Sequence, residues 1–414
     1  LIKLQRMDSI TQITLGAAVG EVVLGKKVGN RAMVWGAIAG TIPDLDILTS
    51  FFMSEINALI AHRHITHALV FPVFMAPLFG LLAYKFYKGD FDKNPIYKGL
   101  ITGIGALICG LILYLLALGL YNNGRVSPLP LITGLSIVTF LAYRMRNYWK
   151  TDFSRLGTEA SHRDWSWLFF WGLFTHPLLD CFTSYGTQIF QPFSDYRVSF
   201  STVAVADPAY TVPFLICVVI ASYLARGSRL RSVINWVGIG FSCLYLLWTV
   251  RNKVVITKIF ENSLTRNQIQ FDRTFVSPTI LNNILWQAVA ESDDKYYYGL
   301  YSLRDSKPEI QIDSLYKHPK RRAVLEKYKD FPTLTWFSDN YYTIDSVAPD
   351  QYKMNDLRFG VIGNLETPRD TSMYVFQFYL TVKGDNDLHI KSYRNTDRDI
   401  SADLQKLRNR INGQ

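Results

Sequence analysis

The chain has 414 residues, a formal net charge of +10, 49% hydrophobic residues and only 19% charged residues, below the roughly 25% charged of a soluble domain. That balance excludes a disordered or purely solvating chain. Four scattered cysteines, Cys109, Cys181, Cys217 and Cys243, have no C-x-x-C spacing, which argues against a disulfide framework or a cysteine zinc site.

The N-terminal LIKLQRMDSITQ carries no apolar run followed by a small-residue cleavage site, so no cleaved signal peptide is expected, and Met7 is an alternative start. Residues 10–24 predict a short helix whose Gly16, Ala17, Ala18 and Gly20 permit close packing against a neighbour. Crossing a bilayer takes about 20 apolar residues. Candidate crossings are 32–52, interrupted by Pro43, Asp44 and Asp46, then 69–86, 100–120 and 129–143. They continue with 165–182, interrupted by His176, Pro177 and Asp180, then 210–225 and 233–250. The expectation for residues 7–250 is an all-α multi-spanning membrane helix bundle of about seven crossings.

Basic residues cluster at Lys26, Lys27 and Arg31; at Lys85, Lys88, Lys93 and Lys98; at Arg144, Arg146, Lys150, Arg155 and Arg163; and at Arg226, Arg229 and Arg231. They alternate with loops poor in Lys and Arg at 45–67, 121–128 and 183–208. Because Lys and Arg concentrate in cytoplasmic loops, the clusters are placed on the cytoplasmic side of a bacterial inner membrane. The last crossing then delivers residues 251–414 outside the cytoplasm. Much of the positive charge is thereby an orientation signal.

From Asn252 the composition turns polar, and β-prone stretches appear at 253–260, 295–303, 333–337, 372–382 and 388–393. Asn282, Leu285 and Trp286 suit a short helix, and residues 400–411 a polar one. Residues 251–414 are therefore expected to form an extracytoplasmic soluble α+β domain with an antiparallel sheet. The basic run 317–322, KHPKRR, reads as a solvated loop.

Ionisable groups beside membrane segments are costly, so each marks a functional candidate. Five of the seven histidines precede residue 180, and four of them fall in two motifs: His62, His64 and His67 in HRHITH, and His176 in HPLLD with Asp180. Asp44 and Asp46 lie in IPDLD, and Asp195 and Asp207 stand beside later apolar runs. Neutral imidazole and carboxylate are ligands for zinc and other divalent first-row metals. His64 and His67 share a face if that segment is helical. His176 and Asp180 also share a face, with Pro177 biasing His176 out of helical geometry into a capping position. Asp44 and Asp46 point differently on any regular element, so one of them is expected to bind metal directly. His162, His318 and His389 are read as structural, and Glu21 as a partner in a buried hydrogen bond. No G-x-S-x-G, P-loop or H-E-x-x-H motif is present.

In MDSITQ with GAAVGE, AGTIPDLD, HRHITHAL, HPLLDCFTSYGT, QPFSD and DPAYT, the chain resembles the YdjM-like family of bacterial inner-membrane proteins, described as membrane-bound, metal-dependent hydrolases. The likeness covers roughly residues 7–250, and the tail, with NNILWQ and DLRFG, looks like the extension of a longer subgroup. The resemblance implies a helical membrane hydrolase distantly similar to the zinc-dependent phospholipase C and single-strand nuclease superfamily, whose members cleave phosphoesters at a multi-metal His and Asp cluster. Carried over by motif, it implies His62, His64 or His67, His176, Asp180 and Asp44 as metal ligands. Many family members have Thr-His near the N-terminus where this chain has Thr11 and Gln12. Glutamine is a poor ligand, so the resemblance implies that one metal position is lost or altered.

The resulting expectation is a membrane-bound hydrolase in which a divalent metal, zinc first, lowers the pKa of a water. That water attacks a phosphoester or another ester of a lipid-like substrate at the outer face. Asp46 or Asp180 orients or deprotonates the water, and Arg63 pairs with a phosphate or anionic leaving group. Membrane lipid and the ester substrate are the expected partners. Nucleic acid is not, because the candidate site is acidic and imidazole-rich. The alternatives are an ion or metal transporter using the same His and Asp groups, with Glu21 as its inner carboxylate, and a membrane anchor whose C-terminal domain binds envelope partners.

Overall fold

A computed structural model describes residues 9–89, 94–123, 128–150, 160–361, 374–384, 388–393 and 400–413. The expectations placed on Met7, Lys93, Arg155, the loop at 124–127 and residues 372–373 lie outside them. The chain divides into two compact units, one of Leu1–Ala76 with Leu168–Gln414 and one of Pro77–Trp167.

The larger unit starts with helices α1 (Ser9–Val28) and α2 (Asn30–Thr41). They are joined at Gly29, whose φ of 62° is a conformation that glycine adopts without strain. A Cβ on Gly16 would collide with the carbonyl oxygen of Gly36, and one on Gly36 with that of Gly16. The two helices therefore meet backbone to backbone along these small residues. A 3₁₀ helix, Pro43–Phe51, follows at the proline, then α3 (Glu55–Ala61), a 3₁₀ turn at Ile65–His67 and α4 (Val70–Lys88). Past α5 (Pro95–Asn123) and α6 (Pro128–Lys150) come α7 (His162–Asp180), α8 (Pro208–Tyr223) and α9 (Arg229–Arg266).

Beyond α9 stand two four-stranded antiparallel sheets, each with its strands in sequence order. The first holds β1 (Arg273–Pro278), β2 (Leu285–Glu291), β3 (Lys295–Ser302) and β4 (Asp313–Tyr316). Helices α10 (Pro319–Leu325) and α11 (Phe331–Phe337) lead into the second, which holds β5 (Tyr342–Ala348), β6 (Gln351–Asp356), β7 (Gln377–Val382) and β8 (Leu388–Tyr393). Helix α12 (Ile400–Ile411) ends the described chain. Ile256, Phe260 and Leu264 of α9 are fully buried with Val276, Trp286 and Tyr301 of the first sheet. Leu334 and Phe337 of α11 are buried with Ile344, Met354, Phe378 and Leu380 of the second, together with Ile56, Leu59 and Tyr185 from before α8.

In the smaller unit the ring of Tyr87 stacks on Trp165 at 5.2 Å, and Phe86 meets Tyr97 edge-on at 5.0 Å. His162 Nε2 lies 2.9 Å from the Pro77 carbonyl oxygen, so this histidine has the structural place expected of it.

The expected bundle of about seven crossings is corrected. Among the described residues two helices are long and apolar enough to span a membrane, Val70–Lys88 and Arg229–Arg266. Pro43 and the two aspartates end segment 32–52 as a crossing: α2 has 12 residues, about 18 Å of helix, and the chain then tightens into a 3₁₀ turn. Helix α8, with 16 residues, is about 24 Å long, short of the roughly 30 Å hydrocarbon core. Segment 165–182 ends in buried His176 and Asp180. Segments 100–120 and 129–143 lie in α5 and α6, neither of which is a full candidate span among the described residues.

The single expected sheet is two. Residues 253–260 are helical because Ile256, Phe260 and Leu264 recur every four residues along one face of α9, which runs unbroken through residue 250. Residues 333–337 are helical in α11, Leu285 and Trp286 begin β2, and the KHPKRR run opens α10.

Candidate metal centre

Four elements bring the chemistry together. The 3₁₀ helix Pro43–Phe51 repeats every three residues, so Pro43 and Asp46 turn inward while Leu45, Leu48 and Phe51 are 52%, 49% and 69% exposed. Asp44 lies between those faces, with its side chain 23% exposed. Helix α3 ends at His62, and Arg63 takes a left-handed backbone, φ 59°. That conformation costs about 1–2 kcal/mol for a residue with a Cβ. It is held by the Arg63 N–H donating to Asp46 Oδ2 at 2.9 Å and by the Gln188 N–H donating to the Arg63 carbonyl at 3.1 Å. The turn it makes aims the following 3₁₀ turn, and buried His67 with it, back at Asp44.

Helix α7 supplies His176 and Asp180 from its last turn. The capping position expected for His176 is corrected: Pro177 sits inside a continuous helix, and His176 and Asp180 share a face four residues apart.

His67 Nε2 lies 3.1 Å from His176 Nε2, 3.6 Å from Asp44 Oδ1 and 3.3 Å from Asp180 Oδ2. His176 Nε2 lies 3.4 Å from Asp44 Oδ1 and 3.4 Å from Asp180 Oδ2. One ligand atom from each of the four residues falls within 4.8 Å of all the others. Four donors placed about 2.0–2.2 Å from one ion in a tetrahedron stand about 3.3–3.6 Å apart, so the donor set fits a single divalent ion. Asp180 Oδ2 is buried and faces His67 Nε2 and His176 Nε2, where a shared ion would sit.

The surrounding shell fixes which atoms face the centre. His176 Nδ1–H donates to the Gly40 carbonyl at 2.6 Å, and His67 Nδ1 lies 3.1 Å from Thr66 Oγ1 and 3.3 Å from Asp46 Oδ2. Both imidazoles therefore present Nε2 inward, each oriented by an oxygen acceptor behind it. Asp46 also lies 2.8 Å from His62 Nδ1 and accepts from Thr66 Oγ1 at 3.1 Å. Gln12 Nε2 donates to Asp180 Oδ1 at 2.9 Å and to the His176 carbonyl at 3.2 Å. Arg63 Nε lies 3.1 Å from Asp180 Oδ2, and its Nη1 donates to Thr183 Oγ1 at 2.8 Å.

Burial alone would raise the Asp44 and Asp46 carboxyls. The His176 charge beside Asp44 and the hydrogen bonds from His62 and His67 to Asp46 outweigh it, holding both well below the usual carboxylate range. Burial would lower His176, but the charges of Asp44 and Asp180 push it up to about 9, and hydrogen bonds to Asp180, Asp44 and Asp46 likewise hold His67 well above its ordinary value. Three carboxylates thus face one guanidinium. With the imidazoles neutral, two negative charges remain for a divalent cation to balance.

Of the residues singled out in the sequence, Asp44, His67, His176 and Asp180 come together. His62 stands one bond further out against Asp46, and half-buried His64 lies outside the group. Asp46 backs the histidines, with neither oxygen in the four-donor set. Arg63 is engaged with Asp180 and Thr183. Asp195 is exposed, and Asp207 caps α8 through the backbone N–H groups of Ala209 and Tyr210. Glu21 receives two hydrogen bonds from Arg231, at 2.6 and 2.5 Å. The Gly40 carbonyl, Thr183 and Tyr185 were not read from the sequence, although all three stand inside the motifs AGTIPDLD and HPLLDCFTSYGT.

The family model described as YdjM inner membrane protein matches residues 7–255. That description names a membrane and no reaction. No curated protein matches the chain, and no solved structure does.

Proposed function

Since the chain belongs to the YdjM inner membrane protein family and gathers two histidines and two aspartates around one point, we propose that it is a metal-dependent hydrolase of the inner membrane, acting on a phosphoester or other ester of a lipid-like substrate. The observation that carries this reading is the convergence of His67 and His176 Nε2 with the carboxylates of Asp44 and Asp180, each imidazole backed by an acceptor. These four residues would hold the ion, for which zinc is the proposed identity. A divalent ion there supplies Lewis-acid activation of water.

The chain's own groups do the positioning. Gly40 and Asp46 fix the imidazoles, and Arg63 and Gln12 hold Asp180. These four donors would occupy the positions a four-coordinate ion offers, whereas hydrolysis would need a further one for water. Asp44 is the partly exposed member of the set, so substrate approaches from its side. There the apolar stripe Leu45, Leu48 and Phe51 favours an amphiphile over a soluble ester. Arg63 offsets charge at Asp180, which keeps the centre receptive to an anionic phosphoester.

The basic ends of the two candidate spans support an orientation. Lys85 and Lys88 close Val70–Lys88, and Arg226, Arg229 and Arg231 stand at the start of Arg229–Arg266. With basic residues inside, the first span runs inward and the second outward, so His67, three residues before the first, and the sheets beyond the second are both placed outside the cytoplasm.

The test is hydrolysis of short-chain and bilayer-embedded phosphoesters by the protein in nanodiscs, before and after chelation and zinc return. The expected result is turnover that falls with chelation, returns with zinc and is absent in His67→Ala. Turnover indifferent to chelator, or none on either substrate class, would overturn the reading.

A further inference from the structure

Tyr185, five residues beyond Asp180, joins the metal centre's surroundings to the sheet region. It is 5% exposed. On one side its ring meets the His62 ring edge-on at 5.1 Å and lies 5.1 Å from the Arg63 guanidinium. On the other it meets the Phe337 ring of α11 at 5.2 Å and 70°. Arg197 spans the seam: its guanidinium stands 4.8 Å from the Tyr185 ring, 4.6 Å from Phe337 and 5.1 Å from Trp336. Its Nη1 donates to the Phe337 carbonyl at 3.0 Å, and its Nη2 donates to the Tyr185 carbonyl.

Both residues on the near side of Tyr185 act on ligands. His62 bonds to Asp46, which orients His67, and Arg63 pairs with Asp180. The Tyr185 hydroxyl, buried, makes no hydrogen bond among the described residues, so the side chain makes its part of the connection through the ring.

We infer that Tyr185 is a positioning residue through which α11, in the sheet-bearing part of the chain, sets the metal affinity and ligand geometry of the centre. The inference rests on the metal reading above. Aromatic pairs and guanidinium–ring contacts hold their partners in preferred relative geometries, so a shift of α11 reaches His62 and Arg63 through the Tyr185 ring, beside the packing of Ile56 and Leu59 in the same cluster. Displacing those two residues changes the second shell and hence the ion's binding. The sheets are in this way part of the site.

The test loads the full-length protein in detergent with cobalt(II) and records its visible absorption and dissociation constant. Tyr185→Phe, which keeps the ring, is expected to match the wild type. Tyr185→Leu and Phe337→Leu are expected to weaken cobalt binding about tenfold or more and to change the absorption band, although neither touches a ligand. Wild-type spectra and affinities in both leucine variants would overturn the inference. Should those variants fail to fold, Arg197→Lys, which keeps the charge and loses the planar stack, must shift the band, and an unshifted band overturns it. If neither the wild type nor Tyr185→Phe binds cobalt, the metal reading itself falls, and this inference with it.

Discussion

His67 and His176 stand 109 residues apart in the chain and bring their Nε2 atoms within 3.1 Å of each other. Two protonated imidazole nitrogens at that distance repel, whereas two neutral ones offer lone pairs to a shared cation. The oxygens facing Nδ1, the Gly40 carbonyl behind His176 and Thr66 Oγ1 with Asp46 behind His67, make the second arrangement available, and the consequences can be measured.

Asp46→Asn leaves all four ligands in place and removes the charge behind His67 and His62. Loss of a carboxylate backing a ligand histidine weakens metal binding by about 10- to 100-fold. Competition with a chelating dye should give a dissociation constant raised by that factor, with folding retained. An unchanged constant would mean that Asp46 does not orient a ligand.

The pH dependence follows from the shifted groups. His67 lies well above 6.5 and His176 at about 9 in the folded chain. Their contribution to stability is full below about pH 6.5 and is lost as pH rises through about 9. Asp44 and Asp46 lie below the ordinary 3.8, so their contribution is present above that value and is lost as pH falls through their lowered pKa values. The metal-free protein should therefore be most stable between roughly pH 4 and 6.5. Because a metal must displace the imidazole protons, the gain in Tm on adding zinc should grow from pH 6 to pH 8.5. A gain that shrinks over this range would contradict the assignment of the two histidines.

Gly36→Ala puts a Cβ against the carbonyl oxygen of Gly16. Overpacking of this kind costs typically about 1–3 kcal/mol. It should also weaken metal binding, since α2 carries the Gly40 carbonyl that holds His176. Gly103→Ala, in exposed helix with open space around the added methyl, should be neutral or stabilising by up to about 1 kcal/mol. Denaturant midpoints that rank the two variants equally would remove the close approach of α1 and α2 from the account.

Much of the metal centre was legible because its ligands come in local motifs. HPLLD places two of them one helical turn apart, and IPDLD splits its aspartates between a ligand face and a buried face of one 3₁₀ helix. The choice among His62, His64 and His67 was not legible. It depends on the left-handed turn at Arg63, which is stabilised by Asp46 and Gln188 from elsewhere in the chain. In the fold, apolar length does not by itself mark a crossing. Leu168, Phe169 and Leu173 of α7 are buried in protein, and no local pattern separates a buried helix from a lipid-facing one. The every-fourth-residue pattern of Ile256, Phe260 and Leu264 was present in the sequence, and β-branched neighbours obscured it.

Glu21 and Arg231 form a bidentate pair between α1 and α9, 8% and 3% exposed. Glu21→Gln leaves a buried guanidinium without its counter-charge and should cost about 3–5 kcal/mol. Glu21→Gln combined with Arg231→Met should recover part of that loss. A Glu21→Gln protein as stable as the wild type, yet deficient in metal uptake into proteoliposomes, would favour transport over a structural role for this pair.

The central claim is that Asp44, His67, His176 and Asp180 hold one divalent ion. Elemental analysis of purified protein, exchanged into metal-free buffer, tests it most directly. The account expects about one ion per chain in the wild type and little in His67→Ala or His176→Ala. In His64→Ala, whose imidazole lies outside the group, the content should be that of the wild type. A wild-type protein without metal, or His67→Ala and His176→Ala proteins with undiminished content, would contradict it.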